Sequence, residues 1–600
     1  MSPPDRPQRT LPQGLVYGVD DVPPPATLAG LALQHLALVA IFLIVAVTLA
    51  RLAGLEGEAA RALMSMTLLA GAFGAAAQAF GRFGIGSGYL IPATTTTILL
   101  PPSAAALAGG ASLAAVMGMT VVSGLGAMAL SRVIARLRPL FPPEITGFVV
   151  FIVGLSVITL AMRNFLGIDA GSGGEGGAAG GDRHGALFVA TATLAVMVGL
   201  SVWGTRQLRL FSPLVGMAVG YGLAFLLGVF DTATLEAIAA APAVALPRPF
   251  AIGLGFDAAL LVPFAIAAVA LALNSLGAVN AAQKVNEIDW KRPDLARAGR
   301  GALADGLTCV VAGLLGGAGQ AATSGAVGLS QATGATSRVI GYAIAAGLAA
   351  LAFLPQVAAV LLAMPEPVAG AALTFSGCFL VVNGVQMIAS RMLDARKVFV
   401  LGIALSFGLA RALFPGHFDA APEWLAPWVS SPMALGVSLA VALNAVFRIG
   451  IWRRDGLTVD SAGPDMAAVS AFLEEQGALC GARPEVVHRA RFAVLDTLET
   501  LIDQGMVRDT IALGRHFPRL DIPGGLITIR TRFDEFTLNV DLSYRGTLLE
   551  PRSTRPSEDE IMDGPAGMRE FSRYMIGRAV DKVQATRHED QCILTFSLRN

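Results

Sequence analysis

Long apolar stretches fill residues 28 to 452 and constrain the fold more than any other feature of the chain. Hydrophobic residues make up 54% of the 600 residues and charged residues 14%, and the mean hydropathy is +0.64. Many of the stretches are long enough to cross the ~30 Å hydrocarbon core of a bilayer. A soluble globular domain is therefore excluded for this region, and a large polytopic membrane protein is predicted.

The apolar segments and their flanking charges predict an all-α membrane domain with a defined orientation. We place fourteen spans at roughly 28–52, 59–80, 86–100, 103–131, 143–162, 185–203, 211–230, 255–283, 303–317, 319–335, 338–363, 368–390, 397–415 and 427–449. The clusters of Lys and Arg follow even-numbered spans, as in residues 132–138 and 284–300, and cytoplasmic loops are enriched in these residues. A multi-pass protein of the cell inner (plasma) membrane with both termini cytoplasmic is expected. Residues 1–27 lack the apolar core of a signal peptide and are interpreted as a cytoplasmic tail.

Two of the predicted spans are interrupted by small and polar residues. They are Gly86-Ser-Gly-Tyr-Leu-Ile-Pro-Ala-Thr-Thr-Thr-Thr97 and the glycine-rich stretch from Gly316 to Gly334. Each is the third span in its set of seven, which is where a transporter with two inverted repeats builds its substrate site. We therefore predict a transporter of a small solute. A further glycine-rich run, residues 171–181, lacks the Lys-Ser/Thr of a phosphate-binding loop and is interpreted as a linker.

The cysteines do not indicate a metal site. Cys309, Cys378, Cys480 and Cys592 are widely spaced, without a C-x-x-C pair, so neither a zinc site nor a disulfide framework is suggested. We expect no metal, no cofactor and no nucleic-acid partner.

Four stretches of the membrane half resemble one transporter family. They are residues 141–156 (Phe-Pro-Pro-Glu-Ile-Thr-Gly and onward), Leu33-Gln-His-Leu36, Ala304-Asp-Gly-Leu307 and Pro365-Glu-Pro-Val-Ala-Gly370. Together they resemble the nucleobase–cation symporter 2 family, which includes xanthine/uracil permeases and nucleobase–ascorbate transporters. The resemblance implies two inverted seven-span repeats over residues 28–455, a core and a gate domain, a homodimer in contact with membrane lipid, and a planar heterocycle such as a nucleobase as the substrate.

The resemblance also implies substrate-binding residues. The family's tenth-span motif aligns with residues 325–334, where Gly325 and Ala326 replace two polar residues, and the buried Glu of the eighth span is replaced by Asn274. His35 and an aromatic residue, Tyr89, are retained. His35 either binds substrate or a proton or is satisfied by neighbouring backbone, and Tyr89 either stacks on a planar ring or fills the core. The candidate site is thus His35, Tyr89, Asn274, Ser324, Gly325 and Ala326, with backbone groups at Ser324 and Gly325 freed by the helix break.

The missing carboxylates bear on the mechanism. Asn pairs with amide-like edges but carries no proton, so uptake is expected to depend little on a proton gradient. A rival hypothesis is a solute-sensing membrane receptor that signals through its C-terminal domain. The intact fourteen-span pattern favours the transporter.

Residues 456–600 have the composition of a small α+β cytoplasmic domain. A helix is predicted at 485–505, paired strands at 526–533 and 536–542, a last helix at about 566–583 and a final strand from Cys592. The region resembles the histidine-kinase-like ATPase domains of anti-sigma factors, but Asp496 and Thr500 occupy the positions of the helix residues that bind water and metal, and Tyr544-Arg-Gly546 stands at the adenine-reading turn. A shifted alignment offers Asp541 as the carboxylate. We expect no ATP hydrolysis and no enzyme activity, but a regulatory domain with a possible cytoplasmic protein partner.

Overall fold

The computed structural model describes most of the chain. The described residues are 12, 14–137, 142–168, 183–228, 238–287, 294–390, 393–422, 425–447, 453–480, 482–511, 520–523, 525–533, 537–550, 552, 554–557, 560–561, 564–588 and 591–599. The predicted glycine-rich linker at 171–181 lies outside them. The chain divides into two compact units, Met1–Gln386 with Ile403–Leu439, and Met387–Gly402 with Ala440–Asn600.

Helices dominate the chain up to residue 447. They are α1 (Pro25–Phe42), α2 (Ile44–Leu52), α3 (Gly57–Phe80), α4 (Leu100–Ala108), α5 (Leu113–Leu137), α6 (Pro143–Leu166), α7 (Arg183–Trp203), α8 (Arg206–Leu226), α9 (Leu261–Asn286), α10 (Leu295–Leu315), α11 (Ser324–Thr333), α12 (Arg338–Ala352), α13 (Pro355–Leu362), α14 (Glu366–Ile388), α15 (Ala395–Leu413), α16 (Pro415–Asp419), α17 (Ala426–Val429) and α18 (Pro432–Phe447). Most consist largely of apolar residues. A helix in hydrocarbon satisfies its backbone N–H and C=O groups internally and needs no polar face toward water.

The multi-pass character predicted from the sequence is confirmed. Among the described residues, eight helices are long and apolar enough to cross a membrane, or nine if the bent pair α12 and α13 counts as one span. Shorter apolar helices lie at Phe211–Leu226 and Pro432–Phe447. The count of fourteen spans stays a prediction, since it includes these shorter helices and the interrupted segments.

Both predicted interruptions are present as breaks in helical structure. Helix α10 ends at Leu315 and is capped by Gly316, whose φ of +83° is the left-handed conformation that glycine adopts without steric cost. The chain then forms the short strand β2 (Gln320–Ala322) before α11 begins. In the first half, the strand β1 (Ala93–Thr95) precedes α4. The span predicted at 103–131 is wrong in its continuity, because Gly109 and Gly110 divide it between α4 and α5.

Glycines allow the elements around the breaks to approach closely. A Cβ added at Gly74 of α3 would lie 2.6 Å from Cβ of Ala93 in β1. On α5 and α10, a Cβ at Gly124 would lie 2.5 Å from the carbonyl oxygen of Gly306. Small residues of this kind let backbones pack closely where lipid supplies no hydrophobic driving force, and here they bring α3 against β1 and α5 against α10.

Residues before the first helix form a strap, defined here as Val16–Asp21. The amides of Val16 and Tyr17 donate to the carbonyl of Gly334 at 2.7 and 3.1 Å, and the amide of Arg338 donates to the carbonyl of Val19 at 3.0 Å. Arg338 also forms an ion pair with Asp20. Part of the predicted tail is therefore bound to the junction between α11 and α12.

The C-terminal region is an antiparallel sheet with helices on one face. Strands β3 (Arg453–Asp460), β6 (Leu526–Phe533), β7 (Thr537–Arg545), β8 (Lys582–His588) and β9 (Gln591–Arg599) pair in the order β3-β6-β7-β9-β8. Helices α19 (Met466–Cys480), α20 (Pro484–Asp503) and α21 (Gly564–Ala579) share an apolar core with the sheet, and β4 (Arg508–Ile511) pairs with β5 (Leu520–Pro523). The predicted helices and the β6–β7 pair are present, whereas β3, β4, β5, β8 and α19 were not predicted.

Candidate functional site

The two breaks meet in a two-stranded ribbon. Strands β1 and β2 pair antiparallel, with Ala93 opposite Ala322 and Thr95 opposite Gln320. The side-chain nitrogen of Gln320, Nε2, donates to the Thr67 carbonyl of α3 at 3.2 Å and to Thr95 Oγ1 at 3.3 Å. The ribbon therefore satisfies the backbone groups that the broken helices leave open, as a non-helical segment within a membrane domain requires.

A buried carboxylate, Asp305, fixes the ribbon to three helices. From its position on α10 it accepts hydrogen bonds from Gln78 Nε2 of α3 at 2.6 Å, from the amide of Ala322 in β2 at 2.9 Å, and from Ser275 Oγ of α9. Buried charges in a membrane are costly unless they are paired or fully hydrogen-bonded. Asp305 thus orients the start of the segment that leads into α11.

His35 of α1 contacts α11. Its Nδ1 lies 2.9 Å from the carbonyl oxygen of Leu31, and its Nε2 lies 3.2 Å from Oγ of Ser330. The ring is fully buried. A carbonyl only accepts, so Nδ1 must carry a proton and Nε2 faces the serine hydroxyl.

Asn274 of α9 contacts β2. Its Nδ2 donates to the carbonyl of Ala322 at 2.8 Å. This bond uses one of the two N–H groups of the amide, so Asn274 can offer Oδ1 as an acceptor and one remaining N–H as a donor to a ligand. His35 and Asn274 therefore both hold the segment from Ala322 to Ser330, from two different helices.

One face of α11 is open. Ser324, Gly325 and Gly328 are exposed, whereas Ala326 is buried. A Cβ added at Gly328 would meet no atom within 4 Å, and one at Gly325 would meet only Thr323 Oγ1 at 3.6 Å. The helix start is capped by Thr323, whose Oγ1 accepts from the Gly325 amide at 3.4 Å. Apart from the Ser324 hydroxyl, the face thus offers space rather than side-chain hydrogen bonds.

Tyr89 lies in a different group of polar residues. Its hydroxyl donates to Glu287 Oε1 at 3.0 Å and accepts from Arg297, whose guanidinium carbon lies 5.1 Å from the centre of the ring. The ring is buried in an apolar cluster with Ala322 and Val327. Tyr89 is therefore near the ribbon, but both its face and its hydroxyl are engaged by the protein, and its contact with substrate stays a prediction.

Sequence reasoning missed several residues that shape this region. Asp305 was part of the family-like stretch Ala304-Asp-Gly-Leu307 and was not taken as a site residue, although a single carboxylate in an apolar helix is itself a signal. Gln78, Ser275 and Ser330 carry no such signal, because isolated hydroxyls and amides are common in membrane helices.

The residues at nucleotide-site positions in the C-terminal domain are engaged within the protein. Ser572 Oγ of α21 donates to the Asp496 carboxylate at 3.1 and 3.2 Å, and burial raises the pKa of that carboxyl. The Thr500 hydroxyl donates to the backbone carbonyl of Asp496 at 2.7 Å. The Tyr544 hydroxyl donates to the Thr547 carbonyl and accepts from the amide of Leu549, both at 3.0 Å, and burial raises its pKa to about 12.

The alternative carboxylate, Asp541, lies on the sheet face away from the helices. Its neighbours along β7, Val540 and Leu542, are buried in the core, whereas Asp541 accepts from Thr595 Oγ1 at 2.7 Å. Side chains alternate between the two faces of a strand. Asp541 and Asp496 therefore do not converge on one pocket. Within the described residues, no group of three or more His, Cys, Asp or Glu side chains is arranged to hold a metal ion.

An apolar bundle with two interrupted helices that meet at a polar centre is the architecture of a secondary transporter. The sequence model of the xanthine/uracil permeases, a family described as the permease family, matches residues 27–416. The chain belongs to this family. The family resemblance drawn from the sequence is confirmed, and so is the expectation that the chain is a transporter and not an enzyme.

The similar proteins include xanthine permeases and a putative purine permease. Xanthine permease XanP of Escherichia coli (strain K12) is 29% identical over 451 residues, covering 72% of this chain and 94% of that protein. The putative purine permease of Clostridium perfringens (strain 13 / Type A) is 27% identical over 438 residues, covering 72% and 93%. The transmembrane domain of a cyanobacterium bicarbonate transporter, BicA, superposes with a TM-score of 0.44 at 14% identity, covering 72% of this chain and 99% of that domain.

Proposed function

We propose that this permease carries a planar heterocycle, a purine or pyrimidine nucleobase, through a site between α1, α9 and the open face of α11. The names of the similar xanthine and purine permeases support this substrate class. The observation that carries the proposal is the convergence of His35 and Asn274 on residues 322–330, next to a helix face whose glycines leave space. A flat ring fits beside such a face without displacing side chains.

Asn274 supplies the hydrogen bond that recognises the base. With its nitrogen bound to Ala322, the Oδ1 atom accepts from a ring N–H of the substrate. A neutral amide oxygen accepts without placing a charge in the site, whereas an ionised Glu brings a negative charge. Further contacts come from the Ser324 hydroxyl and the backbone of Gly325 and Ala326, and stacking comes from Tyr89 when the ring is released from Arg297.

Uptake of labelled xanthine, hypoxanthine, uracil and adenine into proteoliposomes tests this function. We expect at least one base to be taken up, and Asn274→Ala to raise its KM about tenfold, since a lost hydrogen bond in a buried site costs about 1–3 kcal/mol. Arg209→Ala is the control, because Arg209 is exposed and its side chain donates to the nearby carbonyls of Val202 and Gly204. Uptake of no base by the unaltered protein would exclude this substrate class. Equal KM values for the Asn274→Ala and Arg209→Ala variants would exclude this site.

The remaining architecture is proposed on the same basis. We infer fourteen membrane segments in two inverted repeats, because β1 and β2 follow corresponding breaks in the two halves and paired breaks are typical of such repeats. A homodimer embedded in inner-membrane lipid, with both termini cytoplasmic, completes the proposal. A transporter is favoured over a receptor because the similar proteins are permeases.

The C-terminal domain, residues 456–600, is proposed as a regulatory domain without ATP hydrolysis. The engagement of Asp496 by Ser572 and of Tyr544 by Thr547 and Leu549 supports this role, since these atoms already have partners. A cytoplasmic protein is the proposed partner.

A further inference from the structure

The Ser330 hydroxyl lies between two hydrogen-bond acceptors, the Ala326 carbonyl and Nε2 of a neutral His35. Its Oγ is 2.9 Å from the carbonyl oxygen of Ala326 and 3.2 Å from Nε2 of His35. A serine hydroxyl has one proton, so it donates to one of these two acceptors at a time. The other ring nitrogen, Nδ1, is already committed as a donor to Leu31.

The protonation state of His35 therefore defines two hydrogen-bond arrangements of His35, Ser330 and the Ala326 carbonyl. When His35 is neutral, Nε2 has no proton, and the Ser330 hydroxyl turns to donate to it. When His35 is protonated, Nε2–H donates to Oγ, and the hydroxyl donates to the Ala326 carbonyl. The protonated arrangement contains one more hydrogen bond than the neutral one.

We propose that Ser330 is a positioning residue for His35: its hydroxyl holds the imidazole in the Nδ1–H tautomer and turns toward the Ala326 carbonyl when the ring gains a proton. The proposal rests on the proposed substrate site, since Ala326 lies in the first turn of α11 beside Gly325. The hydroxyl links the charge of a buried ring on α1 to the backbone of the helix that faces the substrate.

No other described charged group competes for this ring. The titratable side chains on the elements that pack against α1 are Arg51 on α2, Arg209 and Tyr221 on α8, and Arg338 and Tyr342 on α12; the side chain of Arg206 lies outside the described part. Arg51 donates to the Met364 carbonyl, Tyr221 to the Val360 carbonyl and Arg338 to Asp20. Arg209 donates to carbonyls near the start of its own helix, and Tyr342 is 40% exposed.

The buried carboxylate Asp305 is engaged elsewhere. Its oxygens accept from Gln78, Ser275 and the amide of Ala322.

Nitrogen-15 NMR of the full-length protein, labelled at histidine, tests the proposal directly. The chain has six histidines, and the His35 signals are assigned by their loss in His35→Gln. We expect the Nδ1–H tautomer at neutral pH, and in Ser330→Ala a titration midpoint lower by about 0.5–1 pH unit, because the protonated state loses the extra bond. Ser330→Thr keeps the hydroxyl and should keep the midpoint.

Ser438→Ala is the matched control. Ser438 Oγ also donates to the carbonyl four residues earlier, Ala434, at 2.6 Å, but from α18. It should leave both the tautomer and the midpoint of His35 unchanged. An Nε2–H tautomer in the unaltered protein, or an unchanged midpoint in Ser330→Ala, would overturn the proposal.

The NMR result does not depend on the identity of the substrate. If the unaltered protein takes up no base but shows the Nδ1–H tautomer and the Ser330-dependent midpoint, the proposed substrate fails and the role of Ser330 stands. If uptake is normal and the midpoint does not respond to Ser330, the role of Ser330 fails alone.

Discussion

Asp305 is the residue on which the geometry of the candidate site depends most. Its three partners, Gln78, Ser275 and the amide of Ala322, are all donors at this contact. A carboxylate has enough lone pairs to accept from all of them, whereas a carboxamide has a single accepting oxygen and adds two donors of its own. The Gln78 and Ala322 donors therefore require oxygen acceptors at this position, whereas the Ser275 hydroxyl, which also lies 3.0 Å from the Leu271 carbonyl oxygen, has a second acceptor.

Asp305→Asn should destabilise the membrane domain although it preserves shape. At least one buried donor loses its acceptor, at a cost of about 1–3 kcal/mol, and the melting temperature measured by scanning fluorimetry in detergent should fall by several degrees. Asp257→Asn serves as the control, since Asp257 caps an exposed turn by accepting from the amide of Ala259, a role that Asn fills equally well. Equal melting temperatures for the two variants would show that Asp305 is not a structural centre.

The candidate residues differ in how far local sequence could predict their surroundings. Asn274 and His35 were predicted by position, and both contact residues 322–330. The partners of Tyr89 are 198 and 208 residues away along the chain, and no local pattern indicates that Arg297 covers the ring. Ser330 is an ordinary serine in sequence, and only the approach of α1 gives it a role.

At the scale of elements, the helix breaks were predictable and the strands were not. Runs of Gly and Thr predict that the helices are interrupted at residues 86–97 and 316–334. Left-handed backbone positions, such as that of Gly316, favour glycine. Three-residue strands depend on a partner far away in the chain, as in the pairing of Thr94 with Ala321, so their formation is a tertiary effect. For the same reason the bonds between the strap and the start of α12 were not predicted.

The strap is expected to be a locally stable element that depends on α12. In the double variant Ser337→Ala, Arg338→Ala, the bond from Ser337 to the Asp21 carbonyl and the ion pair with Asp20 are lost. Amide exchange of Val16 and Tyr17, followed by mass spectrometry, should accelerate by about fivefold or more, because each lost bond is worth about 1 kcal/mol.

Arg248→Ala is the control for this measurement, since it removes only an exposed ion pair with Glu58, and such pairs contribute little. Unchanged exchange at Val16 and Tyr17 in the double variant would mean that the backbone bonds to Gly334, Thr336 and Arg338 hold the strap.

At the scale of the whole molecule, uptake should depend little on a proton gradient. Asn274 and Gly325 cannot cycle a proton, and Asp305 is engaged in fixing the ribbon through the amide of Ala322. Adding a protonophore to proteoliposomes at a clamped membrane potential should reduce the initial uptake rate by less than about twofold. A collapse of uptake would contradict this expectation and make His35 the leading candidate for the proton carrier.

The C-terminal domain should not turn over ATP in the intact protein. Hydrolysis needs a carboxylate free to orient water and a side chain that binds magnesium, yet Asp496 accepts from Ser572 and the Thr500 hydroxyl is bound to its own helix. Phosphate release by the purified full-length protein with ATP and magnesium should therefore equal that of Asp496→Ala, and calorimetry measures nucleotide binding in both. Turnover by the unaltered protein that disappears in Asp496→Ala, but persists in the matched variant Asp541→Ala on the other face of the sheet, would replace the regulatory role with an enzymatic one.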